Sequence, residues 1–171
     1  MSRVGESAAA GDVLSGLLYA GREMTAKTPS EDTSAGIPLG AWLADLPDEG
    51  LLRVLQLRPD LTQPPPASLS ALAARALSRQ SVKAATDGLD FLHLAVLDAL
   101  LVLHADTYAV TVAELNKLLG QRADTNAVAT ALDDLRERAV VWGTDEVRVA
   151  PETAGSLPWY PGQAVLEASD R

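Results

Sequence analysis

Thr111-Val112-Ala113-Glu114-Leu115-Asn116-Lys117-Leu118-Leu119-Gly120, then Gln121 to Thr125, then Asn126 to Ala139, is the stretch on which the fold turns. Thr111 followed three residues later by Glu114 matches a capping box: the hydroxyl accepts the N3 amide and the carboxylate reaches back to the cap amide. The short helix it opens carries Val112, Leu115, Leu118 and Leu119 inward and ends at Gly120. After the connector, Val128, Ala131, Leu132, Leu135 and Ala139 recur at spacings of three and four, the apolar face of a longer helix. Val140-Val141-Trp142-Gly143 and Val147-Arg148-Val149 then flank Thr144-Asp145-Glu146 and read as a β-hairpin.

Upstream, Asp90 is a natural N-cap for a helix from Phe91 to His104. Apolar residues occur almost all round that helix, which predicts that it is buried centrally. Buried helix, short capped helix, turn, longer helix and hairpin follow the element order of a winged helix-turn-helix over 89–150. Residues 37–88 form a helical layer. Leu39, Trp42, Leu43 and Leu46 share one face. Pro47, Asp48 and Glu49 suit a helix start, and Leu51, Leu52 and Leu55 carry its stripe as far as Arg58–Pro59. Pro64-Pro65-Pro66 is a stiff connector. It leads to a helix from Ser68 or Ser70 with Leu69, Leu72, Ala73, Ala76 and Leu77 inward. Ser81 is expected to cap a short helix through Ala85 that Gly88 closes in a left-handed conformation. Residues 1–36 read as a tail with one short helical patch, Val13-Leu14-Leu17-Leu18-Tyr19, weakened by Gly11, Gly16 and Gly21; Thr25 to Gly36 has no periodicity. Residues 151–171, with Trp159 and Tyr160, read as a C-terminal strap. The fold class expected is therefore mostly α: a helical N-terminal layer packed on a winged helix-turn-helix with a small β-hairpin wing.

Composition agrees and narrows function. Ala (29) and Leu (28) make up a third of the 171 residues, a balance that favours helices packed through aliphatic side chains. Apolar residues at 47% suffice for a core, so wholesale disorder is excluded. The absence of cysteine removes disulfides, thiolate metal sites and thiol nucleophiles. The N-terminus lacks an uninterrupted apolar stretch of the signal-peptide kind, and the greasiest run, Leu94 to Leu103, contains Asp98 and is too short for a bilayer. A cytoplasmic protein is expected. The net charge of −9 is a poor balance for gripping phosphates.

Leu39-Gly40-Ala41-Trp42-Leu43-Ala44-Asp45-Leu46-Pro47-Asp48-Glu49, Leu57-Arg58-Pro59-Asp60-Leu61 and Pro64-Pro65-Pro66 resemble the start of the helicase-associated proteins of high-GC Gram-positive bacteria. Leu72-Ala73-Ala74-Arg75, Ser81-Val82, Leu89-Asp90, Leu94-Ala95-Val96-Leu97, Leu157-Pro158 and Tyr160-Pro161-Gly162 extend the likeness over roughly 37–163. Those proteins carry a region similar to the N-terminal domain of the XPB-type helicases, and they are much longer chains. The resemblance implies partnership with DNA-repair or transcription machinery, with a helicase or other DNA-processing protein as partner. It brings no active-site residues.

The sequence has no G-x-x-x-x-G-K-[ST], so no helicase motor or ATPase is expected. No nucleophile elbow is present, and Asp133–Asp134 point about 100° apart on a helix, so they are no catalytic carboxylate pair. His93 and His104 fall about 16 Å apart if one helix carries both, too far to share a metal. No enzyme, catalytic residue, metal, cofactor, membrane or small-molecule substrate is expected. Two binding readings stay open. For weak contact with double-stranded or forked DNA the candidates are Arg75 and Arg79 (four apart on one helix face, which Lys83 extends if the helix continues through Ser81), Arg122, Asn126 and Thr130 at the start of the third helix, and Arg148 on the hairpin. For docking of a basic protein partner they are Asp133, Asp134 and Glu137. Residues 111–150 carry five basic and seven acidic side chains, so the DNA reading works against net charge. Trp142 is expected to cover the base of the hairpin, and Trp159–Tyr160 to anchor the strap.

Overall fold

The computed structural model describes residues 10–11, 13–17 and 36–166. Leu18, Tyr19, most of the stretch Thr25 to Gly36 and the last five residues of the strap lie outside that set. The chain is mostly helical with a small three-stranded antiparallel sheet. Among the described residues no helix is long and apolar enough to cross a membrane.

The N-terminal layer is built from α1 (Leu39–Asp45), α2 (Asp48–Leu57), a 3-10 turn (Pro59–Thr62), α3 (Leu69–Ala76) and α4 (Arg79–Thr86). Pro47 precedes α2, whose first turn holds Asp48 and Glu49, where negative charge suits the helix dipole. Ser68 Oγ caps α3 by accepting the Ala71 amide at 3.1 Å. The next joint differs from expectation. Ser78, not Ser81, stands before α4, which runs on to Thr86. Ser81 is buried inside that helix and bonds to Arg58 and Asp60. Gly88 keeps a negative φ, so no left-handed closure occurs there.

Helix α5 (Phe91–Val102) is capped by Asp90, whose Oδ1 accepts the His93 amide at 3.0 Å. Every residue from Val96 to Leu101 is buried, as an all-round apolar helix requires. The helix stops two residues short of His104, which sits beyond it at φ 62°. The two histidines therefore do not share a helix face.

Strand β1 (Val110–Thr111) leads into α6 (Val112–Leu119), and the capping box of Thr111 and Glu114 is present in full. Gly120 ends α6 at φ 56°. After a 3-10 turn (Gly120–Arg122), Asp124 caps α7 (Thr125–Glu137) by accepting the Ala127 amide. Strands β2 (Val141–Trp142) and β3 (Glu146–Val149) form the hairpin. At Gly143, φ is 99° and a Cβ would lie 2.0 Å from the Glu146 carbonyl oxygen, so the turn admits only glycine. Strand β3 lies between the others in the order β1-β3-β2, pairing Val110 with Val147 and Val141 with Val149. The hairpin was expected; β1 was not, because two residues leading into a capped helix leave no alternation to read.

Two apolar clusters fill the interior. One gathers Val96, Leu97, Leu100, Leu115, Val128, Leu132, Leu135, Val141 and Val149, closed by Val165 of α8 (Gln163–Leu166). The other gathers Leu39, Leu43, Leu51, Leu55, Leu61 and Leu72 of the layer with Ala139, Trp142 and Ala150 from the far end of the chain. Each fully buried leucine contributes roughly 1.5–3 kcal/mol. Part of the expected tail belongs here as well: residues 10–11 and 13–17 are helical, and Ala10, Val13 and Leu17 are buried in the layer's cluster.

Candidate partner and nucleic-acid interface

Helix α7 buries Val128, Ala131, Leu132 and Leu135 and leaves Asn126, Thr130, Asp133 and Glu137 exposed on the opposite face. The sequence predicts that division, because the two sets alternate at spacings of three and four. Asn126 presents its amide to solvent near the helix N-terminus. Thr130 instead donates its hydroxyl to the Asn126 carbonyl at 3.0 Å. The acidic candidates differ in how they are engaged. Asp133 pairs with Arg136 at 2.8 Å on the surface. Asp134 accepts from His93 Nε2 at 2.9 Å. Glu137 meets Arg53 of α2 at 3.3 Å, so the C-terminal end of α7 is tied to the layer. Arg136 also donates to the carbonyls of Gly143 and Thr144 and so clamps the hairpin turn to α7.

The basic candidates do not form one face. Arg75 lies in α3 and donates to the carbonyls of Leu61 (3.1 Å) and Pro64, pinning the proline-rich connector. Arg79 opens the separate helix α4 and is exposed. Lys83 pairs with Asp87 one turn on. The expectation that Arg75 and Arg79 share a helix face fails because Leu77 and Ser78 separate α3 from α4. Arg122 donates to the Val165 carbonyl and fastens α8. Arg148 donates to the carbonyls of Ala105 (3.2 Å) and Asp106 (2.9 Å) and lies 5.7 Å over the Trp142 ring. Burial pulls its pKa below the usual arginine value, with the Asp106 charge opposing. Trp142 is buried against the layer, its Nε1 donating to the Ile37 carbonyl at 2.6 Å. Trp159 packs on Phe91 with centroids 5.7 Å apart, while Tyr160 is 85% exposed.

Three residues to which the sequence assigns no binding role hold this surface in place. Arg58 is 1% exposed and donates to the carbonyls of Ala76 (2.9 Å) and Arg138 (3.0 Å) and to Ser81 Oγ, joining α2, α3, α4 and the end of α7. Burial lowers its pKa, and Asp60 at 4.0 Å acts the other way. Asp98, fully buried in the most apolar helix, accepts the amides of Gly162 (2.5 Å) and Ala164 (3.1 Å) and so holds the strap. An aspartate inside an apolar run was the available signal, because a buried carboxylate needs donors. His93 has Asp90 Oδ1 2.5 Å from Nδ1 and Asp134 Oδ2 2.9 Å from Nε2. Partial burial pulls its pKa down, but the hydrogen bonds and charges of the two aspartates outweigh that and hold it above the ordinary histidine value. With both ring nitrogens so engaged, neither has a lone pair free for a metal. Among the described residues no group of three or more His, Asp or Glu side chains could hold a metal ion. Compared with protein-family models, curated proteins and solved structures, the chain matches none.

Proposed function

We propose that the chain is a non-enzymatic accessory module: a winged helix, residues 89–150, carried on the helical layer of residues 37–88. It serves DNA-repair or transcription machinery of the helicase-associated type that its residues resemble, and it works mainly by docking a protein partner. The observation that carries the winged-helix reading is the path of the chain through α5, β1, α6, α7 and the hairpin, with β3 between β1 and β2. The preference for protein contact rests on the cations. Arg75, Arg122 and Arg148 are committed to backbone carbonyls inside the chain, and α7 shows Asp133 and Glu137 outward. Phosphates would meet few uncommitted positive charges on this surface.

Direct contact with double-stranded or forked DNA is the second reading, favoured by the exposed Asn126 amide at the start of α7, a position from which such helices reach base edges. Fluorescence anisotropy with labelled duplex, forked and single-stranded DNA, at low and physiological salt, separates the two. The docking reading expects no salt-sensitive binding in the micromolar range. Such binding, lost on Asn126→Ala and Arg79→Glu, would transfer the function to DNA. The docking reading also expects amide shifts along α7 when an XPB-type bacterial helicase is titrated into the isotope-labelled chain, and their absence would remove that partner.

A further inference from the structure

Among the described residues the two most exposed large apolar side chains are Tyr160, 85% exposed, and Phe91, 68% exposed. Trp159 connects them: it packs on Phe91 and directly precedes Tyr160 in the strap. The fold leaves both outer rings in water and forgoes the gain that their burial would bring.

The exposure of Tyr160 does not come from a slack backbone. Its amide donates to Gln163 Oε1 at 3.3 Å, and its carbonyl accepts the Gln163 amide at 3.0 Å. Two residues on, buried Asp98 holds the Gly162 amide. Pro158 and Pro161 fix φ on either side. The ring therefore stands out from a pinned backbone, which spares a ligand the entropy of ordering it. Phe91 is placed as firmly, at the first position of a capped helix.

Charge decides what such rings can meet. Residues 84–116 and 149–166, which supply Phe91, Trp159 and Tyr160, contain no lysine or arginine. Asp90, one residue from Phe91, and Glu152, in the 3-10 turn Pro151–Ser156 ahead of the strap, are exposed. The amide and ring of His93 hold the Asp90 pKa below the ordinary aspartate value, so its charge persists at neutral pH. Asp87 is already paired with Lys83. Aromatic faces attract cations, and carboxylates nearby add to the pull. Guanidinium suits both, because it lies flat on a ring and forks onto a carboxylate. The chain makes that ring contact internally, where the Arg148 guanidinium lies 5.7 Å over Trp142.

We infer that Phe91 and Tyr160, with Asp90 and Glu152, form a docking surface for an arginine-bearing segment of a protein partner. The surface belongs to α5 and the strap. It goes beyond the acidic face of α7, and its failure leaves the proposed function standing. A second copy of the chain would bring a net charge of −9 against the same carboxylates, and a nucleic acid would bring phosphates.

The probes are fluorescent hexa-arginine and hexa-lysine peptides, titrated with the full chain at low salt and followed by anisotropy. Hexa-arginine is expected to bind, and hexa-lysine about fivefold more weakly, because an ammonium is a strongly hydrated point charge. Tyr160→Leu keeps an apolar side chain and removes the aromatic face. It is expected to weaken hexa-arginine about three- to fivefold with the melting temperature unchanged. Phe91→Leu is expected to act in the same direction, and Tyr160→Phe to bind as the unaltered chain does. Asp90→Asn, which preserves the helix cap, is expected to weaken both peptides. Undiminished binding by Tyr160→Leu, equal affinity for the two peptides, or no binding of hexa-arginine would each overturn the inference. Single-stranded oligothymidine bound by the chain and released by Tyr160→Leu would give the rings to bases. A dimer dissociated by the same variant would give them to a second copy. Either result overturns the protein partner.

Discussion

His93 and Asp134, 41 positions apart, meet at 2.9 Å between Nε2 and Oδ2 and tie the start of α5 to the outer half of α7. The other ring nitrogen lies 2.5 Å from Asp90 Oδ1. Carboxylates accept and do not donate, so only the doubly protonated imidazolium satisfies both contacts.

That chemistry makes the joint sensitive to pH. The folded-state pKa of His93 is raised above the unfolded value of about 6.5, so its contribution is complete below that pH and is lost as pH rises through the folded pKa. With Asp134 partly exposed, the contribution amounts to about 1 kcal/mol or less. The difference in melting temperature between the unaltered chain and His93→Gln should shrink as pH rises from 6 to 9. A difference that grows over that range would contradict the assignment.

Arg58 should prove far less replaceable than its place before a proline implies. Arg58→Ala strands the Ala76 and Arg138 carbonyls and the Ser81 hydroxyl, and should lower unfolding free energy in urea by about 3 kcal/mol or more. Arg58→Lys should recover little, because one ammonium cannot span three separated acceptors. A loss below about 1 kcal/mol for the alanine variant would show the network to be ornamental.

Asp98→Ala leaves the amides of Gly162 and Ala164 without acceptors and should cost about 2–3 kcal/mol. The local signature is sharper than the global one: hydrogen exchange should quicken across 160–166 while α7 keeps its protection. Uniform loosening of both regions would place the role of Asp98 in the core at large.

Charge reversal at the basic positions should split by structure and not by charge. Arg75→Glu removes the pin on Leu61 and Pro64 and should lower stability by about 1 kcal/mol, whereas Arg79→Glu should stay within about 0.5 kcal/mol. Thermal melts of the two variants check this. Equal effects would restore a common solvated face.

Where the fold was legible, the signal was local. The Thr111–Glu114 box, the Asp90 and Ser68 caps and the stripes of α5 and α7 depend on neighbours within four residues, which a sequence displays. The joint between α3 and α4 reads three residues late in the sequence, at Ser81 instead of Ser78, because no glycine or proline marks it, and its position decides whether Arg75 and Arg79 share a face. Ser81 looked like a cap because serine caps helices, yet it serves as the partner of a buried arginine. The acceptors of Arg58, Arg75, Arg122 and Arg148 are mostly backbone carbonyls, which every residue owns and no pattern announces. The outward face of the candidate site, Asn126 to Glu137, was legible in the sequence, whereas the internal contacts of its cations were not, for that reason.

Ala139, Trp142 and Ala150 lie in and around the β-hairpin, far along the chain, yet fill the core of the layer. Ala139 keeps its methyl group there at φ 53°, a conformation an L-residue adopts only at some cost. The two halves consequently share a wall. Removing either half would strip the other of part of its lining, so residue 88 is a seam in the sequence and not a hinge in the molecule. Melting should run as one cooperative event, and whatever grips α7 also pulls on the layer behind it.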